Sequence, residues 1–236
     1  MRAVKSCFIQ MLLFLKKDAM LFASCIAPVL MGLAFRFGIP VLEGILTDYF
    51  RCESIIAPYY VIFDIFFSMM TPFLFCFVAA MIILQEKDDG ITGYLCVTPL
   101  QKYGYLSARL ALPGICAFII TVLLFPVFKL TEQGIITILF LAVSGALQGL
   151  MIALLIVTLS SNKLEGMAVT KLSTVTILGI FVPFFISDRI QYVLFFLPSF
   201  WTGKAMTGGG AGSMLLCFLT SVVWIFLLVK RFGNMI

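Results

Sequence analysis

The chain has 236 residues, of which 62% are hydrophobic and 11% charged, and a mean hydropathy of +1.16 places it among integral membrane proteins. No stretch is polar enough for a soluble domain, so residues 1–236 read as one transmembrane domain with room for about six spans of roughly 20 residues. Histidine is absent, which excludes imidazole catalysis and the commonest transition-metal ligand. The seven cysteines are scattered through apolar runs with no pair at Cys-x-x-Cys spacing, so neither a disulfide framework nor a metal site is expected. The net charge of +5 comes from basic residues that flank apolar runs and never form a patch. It reflects membrane topology and predicts no nucleic-acid partner.

In chain order, residues 1–17 place Val4, Phe8, Met11, Leu12 and Leu15 on one helical face, the pattern of an amphipathic helix in the inner interface. A signal peptide is rejected, because the apolar run ends in Lys16-Lys17-Asp18 without a small-residue cleavage site. The first span is expected at 19–35, extending past Arg36 towards Leu42, before a polar connection with Glu43, Asp48, Arg51 and Glu53. The second apolar run, 55–84, is interrupted by Pro58, Asp64 and Pro72. Further spans are expected at 110–128, 135–159 and 166–186, the last with Lys171 and Pro183 inside it. Residues 191–200 are too short to cross. Together with their flanks they form a broken, re-entrant piece at 187–204, with Trp201 as an interfacial anchor. A flexible glycine run at 208–212 leads to the sixth span, 213–229. With the N-terminus inside, eleven of the sixteen Lys and Arg fall on the inner side. That asymmetry puts both termini and residues 85–104 in the cytoplasm.

The segment 85–104 concentrates charge: Glu86, Lys87, Asp88 and Asp89 precede Gly90, followed by Leu95, Thr98, Pro99 and Leu100. Asp88 and Asp89 read as N-caps of a short helix, and Pro99 ends it. With Arg109 beyond, this run resembles the cytoplasmic signature of type-2 ABC exporter permeases. In that family an acidic-basic cluster ending in Gly leads into a coupling helix and a Thr-Pro turn; Ile91 stands here where Thr is usual. The order of elements is similar over the whole chain, including an N-terminal elbow helix. The resemblance implies an all-α permease with six transmembrane helices, paired with a second copy or a sister permease. Two cytoplasmic ATPase subunits would dock at residues 86–90, Leu95 and Thr98–Leu100. ATP and Mg would belong to those partners, since Gly203-Lys204-Ala205 lacks the spacing of a phosphate-binding loop.

Asp64 is the one acidic residue deep in an apolar run, and Ser68 and Thr71 share its helical face. The three could line a polar translocation path, or Asp64 could sit at the outer interface beside Tyr59 and Tyr60. Hydroxyls at Thr170, Ser173, Thr174 and Thr176, and Gln148, read as helix-packing groups. The implied function is export of amphipathic peptides or small hydrophobic drugs from a bacterial plasma membrane, without enzymatic activity on this chain. A non-transporting immunity or scaffold protein and a membrane-embedded lipid enzyme are the alternatives.

Overall fold

A computed structural model describes residues 18–91, 104–105, 107–186 and 188–235. The expected elbow helix at 1–17 and the central part of the coupling segment lie outside the described residues. Among the described residues every regular element is helical. Five stretches are long and apolar enough to cross a membrane: Leu21–Phe50, Ala57–Asp88, Ser107–Phe128, Ile135–Leu159 and Pro198–Gly233. The chain is a multi-pass membrane protein.

Helix α1 (Ala19–Leu33) continues past Arg36, as expected, and beyond Leu42. It runs through a π-helical turn, Ala34–Gly38, into α2 (Ile39–Phe50). Glu43 and Asp48, expected in a connection, therefore lie on a helix. Pro40 follows the π-helical turn and has no N–H for the continuous ladder. The Arg36 guanidinium donates to the Lys129 carbonyl over 2.9 Å, and α2's 12 residues span about 18 Å.

Helix α3 (Tyr60–Asp88) continues through Pro72. A π-helical turn, Ser107–Ala111, opens α4 (Leu112–Phe128). Helix α5 (Ile135–Leu159) matches its expected bounds. Helices α3 and α5 form the buried centre, with the other spans around them. Their crossing depends on two small residues. A Cβ on Gly145 would lie 2.5 Å from the Ser68 carbonyl oxygen, and one on Gly149 would lie 2.9 Å from that of Pro72. Proline has no N–H to return to the Ser68 carbonyl, so Gly145 packs where the α3 ladder is already open. The spacing is that of the Gly-x-x-x-Gly contact between membrane helices.

The expected fifth span, 166–186, is not one helix. Helix α6 (Lys163–Thr174) tightens into 3₁₀ geometry at Val175–Ile180 before the single turn α7 (Val182–Phe185). The cause is local. Thr170, Thr174 and Thr176 bond back to the carbonyls of Gly166, Thr170 and Ser173 at 2.7, 2.8 and 2.7 Å, and such competition bends helices. Beyond it lie a 3₁₀ turn, Arg189–Leu194, and the short α8 (Pro198–Lys204). Helix α8 is covered by protein on both flanks: a Cβ on Gly203 would meet the Ile180 carbonyl, and α8 packs on the last helix, α9 (Gly210–Met235). The glycine run between them is a tight turn rather than a loose linker, with Gly208 at φ +100° and Gly210 at φ +59°.

Candidate functional site

At one end of the bundle, four helix termini converge on a set of charged side chains. Asp18 starts α1, its carboxylate accepting from Leu21 N at 3.3 Å. Asn162 starts α6 by accepting from Glu165 N at 2.9 Å, and Glu165 reaches back to Ser161 N at 2.7 Å. This arrangement is close to a capping box, with the Glu165 carboxylate accepting one residue before the N-cap. The last turn of α3 contributes Gln85, Glu86, Lys87 and Asp88. Lys163 ties these pieces together. Its ammonium donates to Asp18 Oδ2 and Gln85 Oε1, each at 3.0 Å, and its backbone N–H donates to Asp88 Oδ2 at 2.9 Å. Lys87 Nζ donates to the Ser160 carbonyl at 3.1 Å.

The fourth terminus is the start of α4. Arg109 pairs with Glu86 through Nε (3.1 Å) and a second guanidinium nitrogen, and the Tyr105 hydroxyl donates to the same carboxylate at 2.8 Å. The Arg109 side chain is 3% exposed, and its two bonds to Glu86 tie the start of α4 to the end of α3. The Lys163–Asp18 pair, with both side chains 24% exposed, contributes about 0.5 kcal/mol. The joint therefore has a stiff part, α3 to α4, and a soft part, α1 to α6.

The structure gives Glu86, Lys87 and Asp88 partners within the chain, while Asp89 is exposed. Asp88 is the last residue of α3 and Asp89 its C-cap. The helix that they were expected to start lies outside the described residues beyond Ile91; within them, the Asp88 carboxylate accepts from the first turn of α6, 75 residues away. Gly90, at φ +70°, holds the left-handed position that commonly closes a helix, and there the chain leaves α3. Leu95, Thr98, Pro99 and Leu100 lie outside the described residues. Nothing in the sequence marked Asp18, Lys163 and Tyr105 as one cluster, because they meet only through tertiary contacts.

Asp64, Ser68 and Thr71 are buried, at 3%, 0% and 0% exposed. Asp64 lies at the opposite end from the joint. Its carboxylate accepts from Leu130 N at 2.8 Å, Thr131 N at 3.0 Å and the Thr131 hydroxyl, holding the α4–α5 turn against α3. Ser68 and Thr71 donate to carbonyls of their own helix, Ile65 at 2.7 Å and Phe67 at 3.1 Å. Gln148 Nε2 donates across to Thr176 Oγ1 at 3.2 Å.

The described residues form a helical membrane bundle whose spans meet at this ionic joint. The chain belongs to the family described as "Fluoroquinolones export permease protein Rv2686c-like", whose model matches residues 12–231. It is also 25% identical over 194 residues to two curated relatives named fluoroquinolones export permease proteins, MT2760 and Rv2686c, from the Mycobacterium tuberculosis strains CDC 1551 and H37Rv. The match covers 80% of this chain and 75% of each relative. No solved structure matches the chain. The family bears out the resemblance to ABC exporter permeases seen in the sequence.

Proposed function

We propose that the chain is the membrane-spanning subunit of an ATP-driven exporter that moves small amphipathic, drug-like molecules outward across a bacterial plasma membrane. The match along residues 12–231 is the observation that carries this reading. The relatives' names favour drugs over peptides as cargo. A second permease copy or sister permease, and two ATPase subunits holding ATP and Mg, complete the machine. The described partners of Asp64 are backbone N–H groups and a hydroxyl, a set that suits fastening a turn and offers no acid-base pair for a lipid enzyme.

In this reading the joint lies on the cytoplasmic side, as the basic-residue asymmetry requires, and the segment leaving Gly90 is the handle that the ATPases move. Glu86–Arg109 passes that motion from α3 to α4, and Lys163 passes it to α1 and α6. Residues 1–17 add an interfacial elbow. The broken α6–α7 segment is the sixth crossing. Twelve α-helical and six 3₁₀ residues rise about 30 Å together, which is about the thickness of the hydrocarbon core.

The test is co-purification of the tagged permease with cytosolic ATPases, together with drug accumulation in cells. The wild type should retain an ATPase and lower accumulation. Gly90→Pro, which cannot adopt φ +70°, should lose both. A wild type that retains no ATPase and leaves accumulation unchanged would end the exporter reading.

A further inference from the structure

At the end of the bundle away from the joint is a cavity of about 340 Å³, lined by nine residues of which six are aromatic. Its size falls within the range of small-molecule sites, about 300–1,000 Å³. Three elements build it: the π-helical turn after α1, the run from residue 55 into the first turns of α3, and the broken segment before residue 186. Phe35 meets Phe63 edge-on, with centroids 5.7 Å apart and planes at 82°, and Phe66 meets Phe181 at 6.0 Å. Tyr59 and Phe185, which are 43% and 63% exposed, stack at 5.8 Å and 20° to form the rim.

Beside this apolar chamber stands one carboxylate. Ile55 and Ile56 line the cavity, and their N–H groups donate to Glu43 Oε1 and Oε2 at 2.9 and 2.6 Å. The Ala57 N–H also faces this carboxylate, which can accept about four bonds and so keeps acceptor capacity, and among the described residues no ion pair reaches it. We infer that this cavity is a binding site for a planar aromatic cation, its ring among Phe35, Phe63 and Phe66 and its charge at Glu43. Ring edges and faces favour an aromatic occupant, and a cation gains from both the faces and the carboxylate. A saturated acyl chain would gain from neither. The site lies on the outward side, so cargo would occupy it late in export.

Its part in export rests on the reading above; binding itself does not. The experiment is ethidium titration of the full chain in lipid nanodiscs, followed by fluorescence, with the anionic aromatic 8-anilinonaphthalene-1-sulfonate as a second probe. Saturable ethidium binding is expected, weakened roughly tenfold by Glu43→Gln and by Phe63→Leu. The anionic probe should be unaffected by Glu43→Gln. Helicity is recorded for each variant, and if one fails to fold the other decides. Non-saturable uptake, or an unchanged Kd in the folded variants, would overturn the assignment. So would equal loss of both probes on Glu43→Gln. Ethidium binding without any ATPase partner would remove the exporter reading and keep the site, whereas a captured ATPase without ethidium binding would do the reverse.

Discussion

At the scale of single residues, the polar groups inside this membrane protein divide by what they hold. Glu86 and Arg109 form a buried pair. Glu86→Ala removes the acceptor of Arg109 and Tyr105 and should lower stability by about 1–3 kcal/mol, read as an earlier loss of helicity on heating in detergent. Asp89→Ala, at an exposed position one residue past α3, should leave the curve in place. Equal curves for the two variants would contradict the assigned burial. Asp64 presents a different case. Asp64→Ala would deprive Leu130 and Thr131 of their acceptor, costing about 1–3 kcal/mol and speeding amide hydrogen exchange in the α4–α5 turn. Asp64→Asn keeps one carbonyl oxygen and should lie between. If Asp64→Asn abolished drug export while exchange in that turn stayed native, the residue would act on the pathway and not as a fastener.

At the scale of elements, the contact between α3 and α5 rests on close approach. Gly149→Leu would drive a side chain into the Pro72 carbonyl, and overpacking of this kind costs about 1–3 kcal/mol. Gly38→Leu is the control, since nothing lies within 4 Å of a Cβ there. Thermal unfolding of the two variants in detergent checks the contrast. The Gly-x-x-x-Gly spacing was present in the sequence and signals such a contact. Its partner, the carbonyl that Pro72 leaves open, could be found only from the structure. The broken course of α6 to α7 was only partly legible. A cluster of hydroxyls and Pro183 warn of trouble, yet apolarity alone reads residues 166–186 as an ordinary span. Competition for carbonyls depends on the rotamers of Thr170, Thr174 and Thr176, which composition does not reveal.

At the scale of the molecule, the two ends are chemically distinct. One gathers the joint of Asp18, Gln85–Asp88, Arg109 and Lys163. The other carries Asp64 with its turn, Arg36 with Lys129, and Glu43 with the strap before α3. The orientation inferred from basic residues puts the second end outside. Cys52, exposed on the connection between α2 and α3, is a native reporter of it. A membrane-impermeant maleimide should label Cys52 in intact cells, and Cys52→Ser should remove that labelling. Protection of Cys52 until the cells are broken would invert the topology.

Hydropathy, charge asymmetry and the Glu86–Gly90 run are local properties. They therefore determined the membrane class, four of the spans to within a few residues, and the family. A span is legible because some twenty consecutive residues must each be apolar to enter lipid. The extension of the first span through α2, the fracture of the fifth and the sharp glycine turn before the last were decided by tertiary structure. So were the pairing of Asp88 with α6 and of Asp64 with the α4–α5 turn. In each pairing, groups separated by 66 to 75 residues satisfy one another's hydrogen bonds. Within a bilayer a buried group such as Asp64 must find partners in the protein, and the packing of the helices selects which ones.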